Sequence, residues 1–137
     1  MNTMIEQSVN TFAEAQGYMK TLENTLFKKS RFNNDLLYGM VVMCFEKLFV
    51  SLLAHYNINA THHTPMALFK EANRIIKLPI QMKETATLIS QFESICSFDG
   101  FGYKTPTDSE IVEMIKGLIE VRDYVGQVTQ RNLAEVF

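Results

Sequence analysis

Apolar residues recur at three- and four-residue intervals along most of this chain, and no run of strand length alternates between apolar and polar positions. That pattern predicts an all-α protein. The first helix opens at Thr3, where Thr3 and Glu6 have the spacing of a capping box. Ile5, Val9, Phe12, Ala15, Met19, Leu22 and Leu26 form its apolar stripe, and Lys28-Lys29-Ser30-Arg31 marks its end. A second helix starts at Asn33 to Asp35, runs to about Tyr56, and is broken by Asn57-Ile58-Asn59-Ala60. The third begins at Thr64-Pro65, a hydroxyl N-cap followed by proline at the first helical position, and carries Met66, Leu68, Phe69, Ala72 and Ile76 up to Pro79.

From Pro79 or Ile80 to Cys96 a fourth helix places Met82, Ala86, Ile89, Phe92 and Cys96 on one face. Residues 97–106 form the one long loop. Thr107 and Glu110 give a second capping box, and the stripe Ile111, Met114, Ile115, Leu118, Val121, Val125 and Val128 follows, with the helix extending toward Ala134. Short connections between amphipathic helices make antiparallel neighbours. The expected fold is therefore an up-and-down antiparallel bundle of four long helices plus one shorter helix, filling residues 1–137 as a single domain.

The second helix departs from the amphipathic rule. Leu36 to Ala54 is nearly all apolar and interrupted once, by Glu46-Lys47. A helix with no polar face needs partners on nearly every side, so it is expected at the centre of the bundle. Its length also approaches a membrane span. Two charges at the bilayer centre would each cost roughly 2.5–3.5 kcal/mol, and no aromatic belt or basic loop flanks it. The expectation is a water-soluble core helix with no membrane partner.

Composition sharpens this picture only a little. A formal net charge of −2 argues against broad, non-specific capture of nucleic acid, which leans on a basic surface. Cys44 and Cys96 both sit in apolar helical runs and read as buried free thiols. No basic segment followed by an apolar run opens the chain, so no signal peptide is expected and the location is read as cytoplasmic. Eight methionines and ten phenylalanines suit either the interior of a bundle or an adaptable binding face.

Three segments, in order, resemble the HEPN domain family, the nucleotide-binding domain of higher eukaryotes and prokaryotes. Gly39-Met40-Val41-Val42-Met43-Cys44-Phe45-Glu46-Lys47-Leu48 resembles its "aqqavEKalK" segment. Thr61-His62-His63-Thr64-Pro65-Met66-Ala67-Leu68-Phe69 resembles "tHdlxxLl", with His63 at the histidine position and Thr64 at that of the capping aspartate. Gly102-Tyr103-Lys104-Thr105-Pro106 is weakly similar to "aRYP", without its arginine. The resemblance spans about residues 10 to 128. It implies a helical up-and-down bundle, and as partners a nucleotidyltransferase-like protein or a second copy of the chain, as in two-component toxin–antitoxin systems.

Many members of that family are ribonucleases with an arginine followed, after four to six residues, by a histidine. The arginine would fork phosphate and the histidine would move protons. None of Arg31, Arg74, Arg122 or Arg131 is followed by a histidine at that spacing. The ribonuclease motif is absent, and no catalytic residue is assigned. Neither metal nor cofactor is expected: His55, His62 and His63 cluster around one connection, but no adjacent carboxylate or cysteine completes a zinc set.

The candidate ligand cleft comprises Glu46, Lys47, His63, Tyr103 and Lys104. Glu46 and Lys47 point about 100° apart on a helix and are poorly placed to pair with each other. In one reading Lys47 lines a cleft for a small anion such as a nucleotide phosphate; in the other both charges are simply solvated at a seam. Lys70, Arg74 and Lys77 make a basic stripe that would meet an acidic partner or a phosphate backbone, or else is simply the wet face of its helix. The chain is thus expected to be a non-catalytic binding module. The alternatives are a divergent ribonuclease, using Arg122 or Arg131 with a histidine from elsewhere in a dimer, and a ligand-free structural or accessory protein.

Overall fold

The computed structural model describes residues 3–28, 32–93 and 105–136, the side chains of residues 93 and 131–136 excepted. Its elements are α1 (Met4–Asn24), α2 (Asn34–His55), α3 (Pro65–Asn73), α4 (Ile80–Glu93) and α5 (Asp108–Val136), with no strand among the described residues. The molecule is an all-helical bundle. Cys96, Tyr103, Lys104, the loop at 97–104 and the basic end Lys29-Ser30-Arg31 lie outside the described residues.

Local chemistry sets the helix starts. The Thr3 hydroxyl accepts from the Glu6 amide at 3.0 Å while the Glu6 carboxylate accepts from the Thr3 amide. Thr107 and Glu110 repeat that reciprocal arrangement at α5, and the Asn33 side chain accepts from the Leu36 amide. Each cap satisfies amides that a helix N-terminus leaves without partners. Thr64 departs from expectation. It occupies the N-cap of α3, but its side chain makes no capping bond, and Pro65 alone marks the start.

Helix α2 stops through a left-handed residue. Asn57 has φ 65°, the Ile58 amide donates to the Leu53 carbonyl, and the Asn57 amide donates to that of Ala54. These are the two bonds of a Schellman ending, with Ile58 packed back on the core. Helix α3 ends at Asn73 rather than running on toward Pro79. The Asn73 side chain accepts from the Leu78 amide at 3.0 Å, offering the backbone an alternative to another helical turn.

α1 and α2 pack antiparallel through small residues spaced seven apart. Ser8 and Ser51 exchange hydrogen bonds: each hydroxyl donates to the other residue's backbone carbonyl at 2.7 Å. One heptad along, the Cys44 thiol faces the Ala15 carbonyl at 3.7 Å. All four residues are buried, so the two backbones approach closely here. Phe45 and Phe49, fully buried on α2, stack with ring centroids 4.5 Å apart. The Tyr38 hydroxyl donates to the Ile89 carbonyl at 2.7 Å and its ring meets Phe92, tying α2 to α4.

The helix-five stripe from Ile111 to Val125 is buried as its spacing predicts, as are Met82, Ala86, Ile89 and Phe92 of α4. Helix α2 corrects the expectation of near-complete enclosure. It packs against α1, α3 and α5, yet Leu36 is 51% exposed and Met43 40% exposed. It is the one helix, among the described residues, long and apolar enough to cross a membrane, with mean hydropathy 1.9 over an 18-residue window that is 56% buried. The bundle covers only part of its circumference.

Candidate functional site

The candidate cleft residues divide between two flanks of α2. Glu46 and Lys47 diverge as neighbouring helical positions must, and each finds a partner on a different element. The Lys47 ammonium bonds the Glu14 carboxylate of α1. That bond holds Lys47 above the ordinary lysine range, outweighing the opposing effect of burial. Glu46 faces the other way, where its carboxylate meets His63 Nδ1 at 3.2 Å on the connection to α3. The two carry no shared cleft.

Lys47 does line a groove. Glu14, Gly17, Tyr18 and Thr21 of α1 and Met40 and Lys47 of α2 border an open depression of about 480 Å³. Its floor is wide because Gly17 has no side chain: a Cβ built there meets nothing within 4 Å. Gly39, exposed on the outer side of α2, is equally open. The helical positions 36, 39, 40 and 43 follow i, i+3, i+4, i+7 and so lie on one face. Leu36, Gly39, Met40 and Met43 therefore form an apolar stripe that continues the groove.

The histidines do not converge. His62 Nδ1 lies 3.0 Å from Glu71 of α3, whose carboxylate also accepts from the Thr61 amide and hydroxyl. Burial pushes the Glu71 carboxyl up, but these donors together hold it below its usual range. His63 pairs with Glu46 instead, and burial lowers His55, which sits edge-on to Tyr56. The two pairs pin the α2–α3 connection to two different helices. Among the described residues no three histidine, cysteine or acidic side chains come together as metal ligands.

Lys70, Arg74 and Lys77 are exposed, but the early end of α3 spreads them out. Lys70 lies in the helix, Arg74 is its C-cap, and Lys77 falls in the irregular segment before Pro79. They do not occupy one continuous helix face.

Arg122 is engaged on α5, where its guanidinium bonds Glu23 of α1 and Asp123. Burial pulls its pKa down, yet the bonds to these carboxylates hold it above the ordinary arginine range. This pair ties α1 to α5, and its charges reach Cys44, whose thiol is pushed up to about 12 chiefly by burial. Cys44 and His55 stand eleven positions apart on α2, about 16 Å along the axis. The arginine thus stands at a different level of the bundle from His55, whereas His63, held at Glu46 two positions from Cys44, is near its level but on another side of α2. The Arg131 side chain lies outside the described residues.

Reading the sequence singled out Lys47 but neither of the carboxylates, Glu14 and Glu23, that occupy the cations. Their signal lies in register: pairing Ser8 with Ser51 and Ala15 with Cys44 sets Glu14 beside Lys47, and no single-helix pattern carries that alignment. Comparisons with family models, with curated proteins and with solved structures found no match for this chain.

Proposed function

We propose that this chain is a non-catalytic interaction module that docks a partner on the outer face of α1 and α2. One observation carries the reading. The most apolar helix of the molecule leaves Leu36 and Met43 in water, in line with Gly39 and Met40 and beside an open groove. Contiguous apolar surface next to a concavity is where partners bind.

Among the described residues, four of the groups that chemistry would use are engaged with carboxylates. Lys47 is held by Glu14, Arg122 by Glu23 and Asp123, His62 by Glu71 and His63 by Glu46. A divergent ribonuclease would need Arg122 freed from Glu23 and Asp123 and a histidine brought to it. The HEPN resemblance implies the same kind of role, with a nucleotidyltransferase-like protein or a second copy as the partner.

The test is a photo-crosslinking amino acid at position 43 in the full chain, expressed in its own host, with Gln16 on the polar side of α1 as the control. Adducts from position 43 and none from position 16 are expected. An absence of adducts at position 43 refutes docking on this face. A second reading follows from the same groove: a small anion that displaces Glu14 from Lys47. Nucleotide uptake seen by calorimetry and lost in Lys47→Ala would support it, and unchanged affinity removes Lys47 from any such site.

A further inference from the structure

We propose that the hollow between α4 and α5 binds a primary ammonium group carried on a short alkyl chain. This site is separate from the α1–α2 face, shares no lining residue with it, and does not depend on docking there.

Helix register builds the hollow. Gly117 lets α4 come close to α5, since a Cβ there would fall 2.4 Å from Thr85 Oγ1. That contact brings the start of α4 beside the middle of α5: Gln81 lies one turn before Thr85, and Val121 one turn after Gly117. Pro79, Gln81 and Met82 at the start of α4, with Glu120 and Tyr124 of α5, border a cavity of about 280 Å³. Glu120 and Tyr124 stand four positions apart and so share a face of their helix. Met82 is buried, Tyr124 half-buried, and Glu120 and Gln81 reach the surface, which gives the hollow an apolar floor and a polar rim.

The rim is unengaged. Lys47, Arg122, His62 and His63 are all held by carboxylates. Among the described residues, neither the Glu120 carboxylate nor the Tyr124 hydroxyl takes part in a hydrogen bond or an ion pair. Burial, and after it the phenol of Tyr56, hold Tyr124 above the ordinary tyrosine range. It therefore stays neutral, and its oxygen can accept as well as donate.

Charge and size select the ligand. The lining has one carboxylate and neither lysine nor arginine, so it attracts a cation and repels an anion. Its remaining wall, a thioether and a prolyl ring, suits methylenes better than the tightly held water of a small metal ion. An ammonium has three donors, as many as the acceptors on Glu120, Tyr124 and Gln81, and the tyrosine ring attracts the same charge through its face. The volume equals that of about nine waters and falls below the roughly 300–1,000 Å³ of sites for drug-sized ligands. A four-carbon amine is of that scale and a nucleotide is not. A free alkylamine and the lysine side chain of a partner protein present this same group.

The test is a titration of the isotope-labelled full chain followed by NMR amide shifts. n-Butylammonium is expected to give saturable shifts at Gln81, Met82, Glu120 and Tyr124, whereas n-butanol and n-butyrate at equal ionic strength do not. Glu120→Gln should weaken the butylammonium affinity about two- to fivefold, the scale of one exposed ion pair, and Tyr124→Leu should weaken it too. An unchanged helical melt shows that each variant is folded.

No saturable shift with butylammonium overturns the inference. So does equal saturation by butanol, which would make the hollow merely apolar, or an affinity that Glu120→Gln leaves unchanged. A blocked peptide with one internal lysine decides the source. Tighter binding than butylammonium at the same amides assigns the ammonium to a partner protein, and weaker binding assigns it to a free amine.

Discussion

Gly117 gives the sharpest test of how the bundle is packed. It lies in the interior of α5, where glycine costs about 1 kcal/mol of helix propensity relative to alanine, so Gly117→Ala would stabilise an isolated helix. The structure reverses that sign. A Cβ at position 117 falls 2.4 Å from Thr85 Oγ1, 2.8 Å from its Cγ2 and 3.1 Å from its Cβ on α4. Rotating Thr85 offers no escape. Two of the three staggered positions on its Cβ lie over Gly117, and two heavy atoms cannot both occupy the third. Its Cβ, moreover, moves only with the backbone of α4. Overpacking of this kind costs about 1–3 kcal/mol, which exceeds the propensity gain at most of that range.

Gly117→Ala is therefore expected to lose up to about 2 kcal/mol net, read from the urea midpoint at constant slope. Thr85→Ala removes the two nearer atoms and leaves only the 3.1 Å contact. In the Thr85→Ala background Gly117→Ala should cost little, giving a coupling of at least about 1 kcal/mol in a double-mutant cycle. If Gly117→Ala is more stable than wild type, or if the two changes add within about 0.3 kcal/mol, the close approach of α4 and α5 is refuted.

Other expectations follow from the same packing. Ser8→Leu places a large side chain at the α1–α2 crossing and removes the hydroxyl that donates to the Ser51 carbonyl, so a loss of about 1–3 kcal/mol is expected by thermal or urea unfolding. Asn57→Val should cost about 1–2 kcal/mol because a β-branched residue resists the left-handed region, whereas Asn57→Gly should be tolerated; equal losses from both would remove the Schellman ending. In a Cys96→Ser background, Cys44 should react with a thiol reagent only on unfolding. Its folded pKa of about 12 lies above that of the unfolded thiol. Its contribution is therefore complete below the unfolded pKa and is lost as pH rises toward 12; Cys44→Ala should flatten that alkaline limb. Glu71 is shifted the other way: its stabilisation is present above the ordinary carboxylate range and is lost as pH falls through its lowered value. Glu71→Gln should flatten the acid limb of stability, and an unchanged limb would dismiss the Thr61–His62 clamp.

Much of the fold was legible one helix at a time. Capping boxes at Thr3–Glu6 and Thr107–Glu110, the Asn33 cap and the stripe from Ile111 to Val125 are local signals, and the structure has them where the spacing puts them. What stayed hidden depends on how helices meet. Ser8 and Ser51 read as polar and are buried because each satisfies the other. Gly117 drew no notice in the sequence and is a contact surface for Thr85. The divergence of Glu46 and Lys47 was legible from helix geometry, but their partners, His63 and Glu14, depend on tertiary register. Apolarity placed α2 in the core correctly and overstated its coverage, since hydropathy cannot tell a face covered by its own chain from one left for another.

The serine, alanine and cysteine that meet where α1 crosses α2 also restrict how this protein can change over time. Sliding one helix by a heptad in one direction would bring Leu37 against Ala15, and in the other would carry Ser8 past the end of α2 and lose its bond to Ser51. Bulk gained at one of the four positions must be surrendered at the one opposite. Residues 8 and 51, and 15 and 44, should therefore drift as matched pairs of conserved summed volume, an imprint that any set of divergent sequences of this fold would carry.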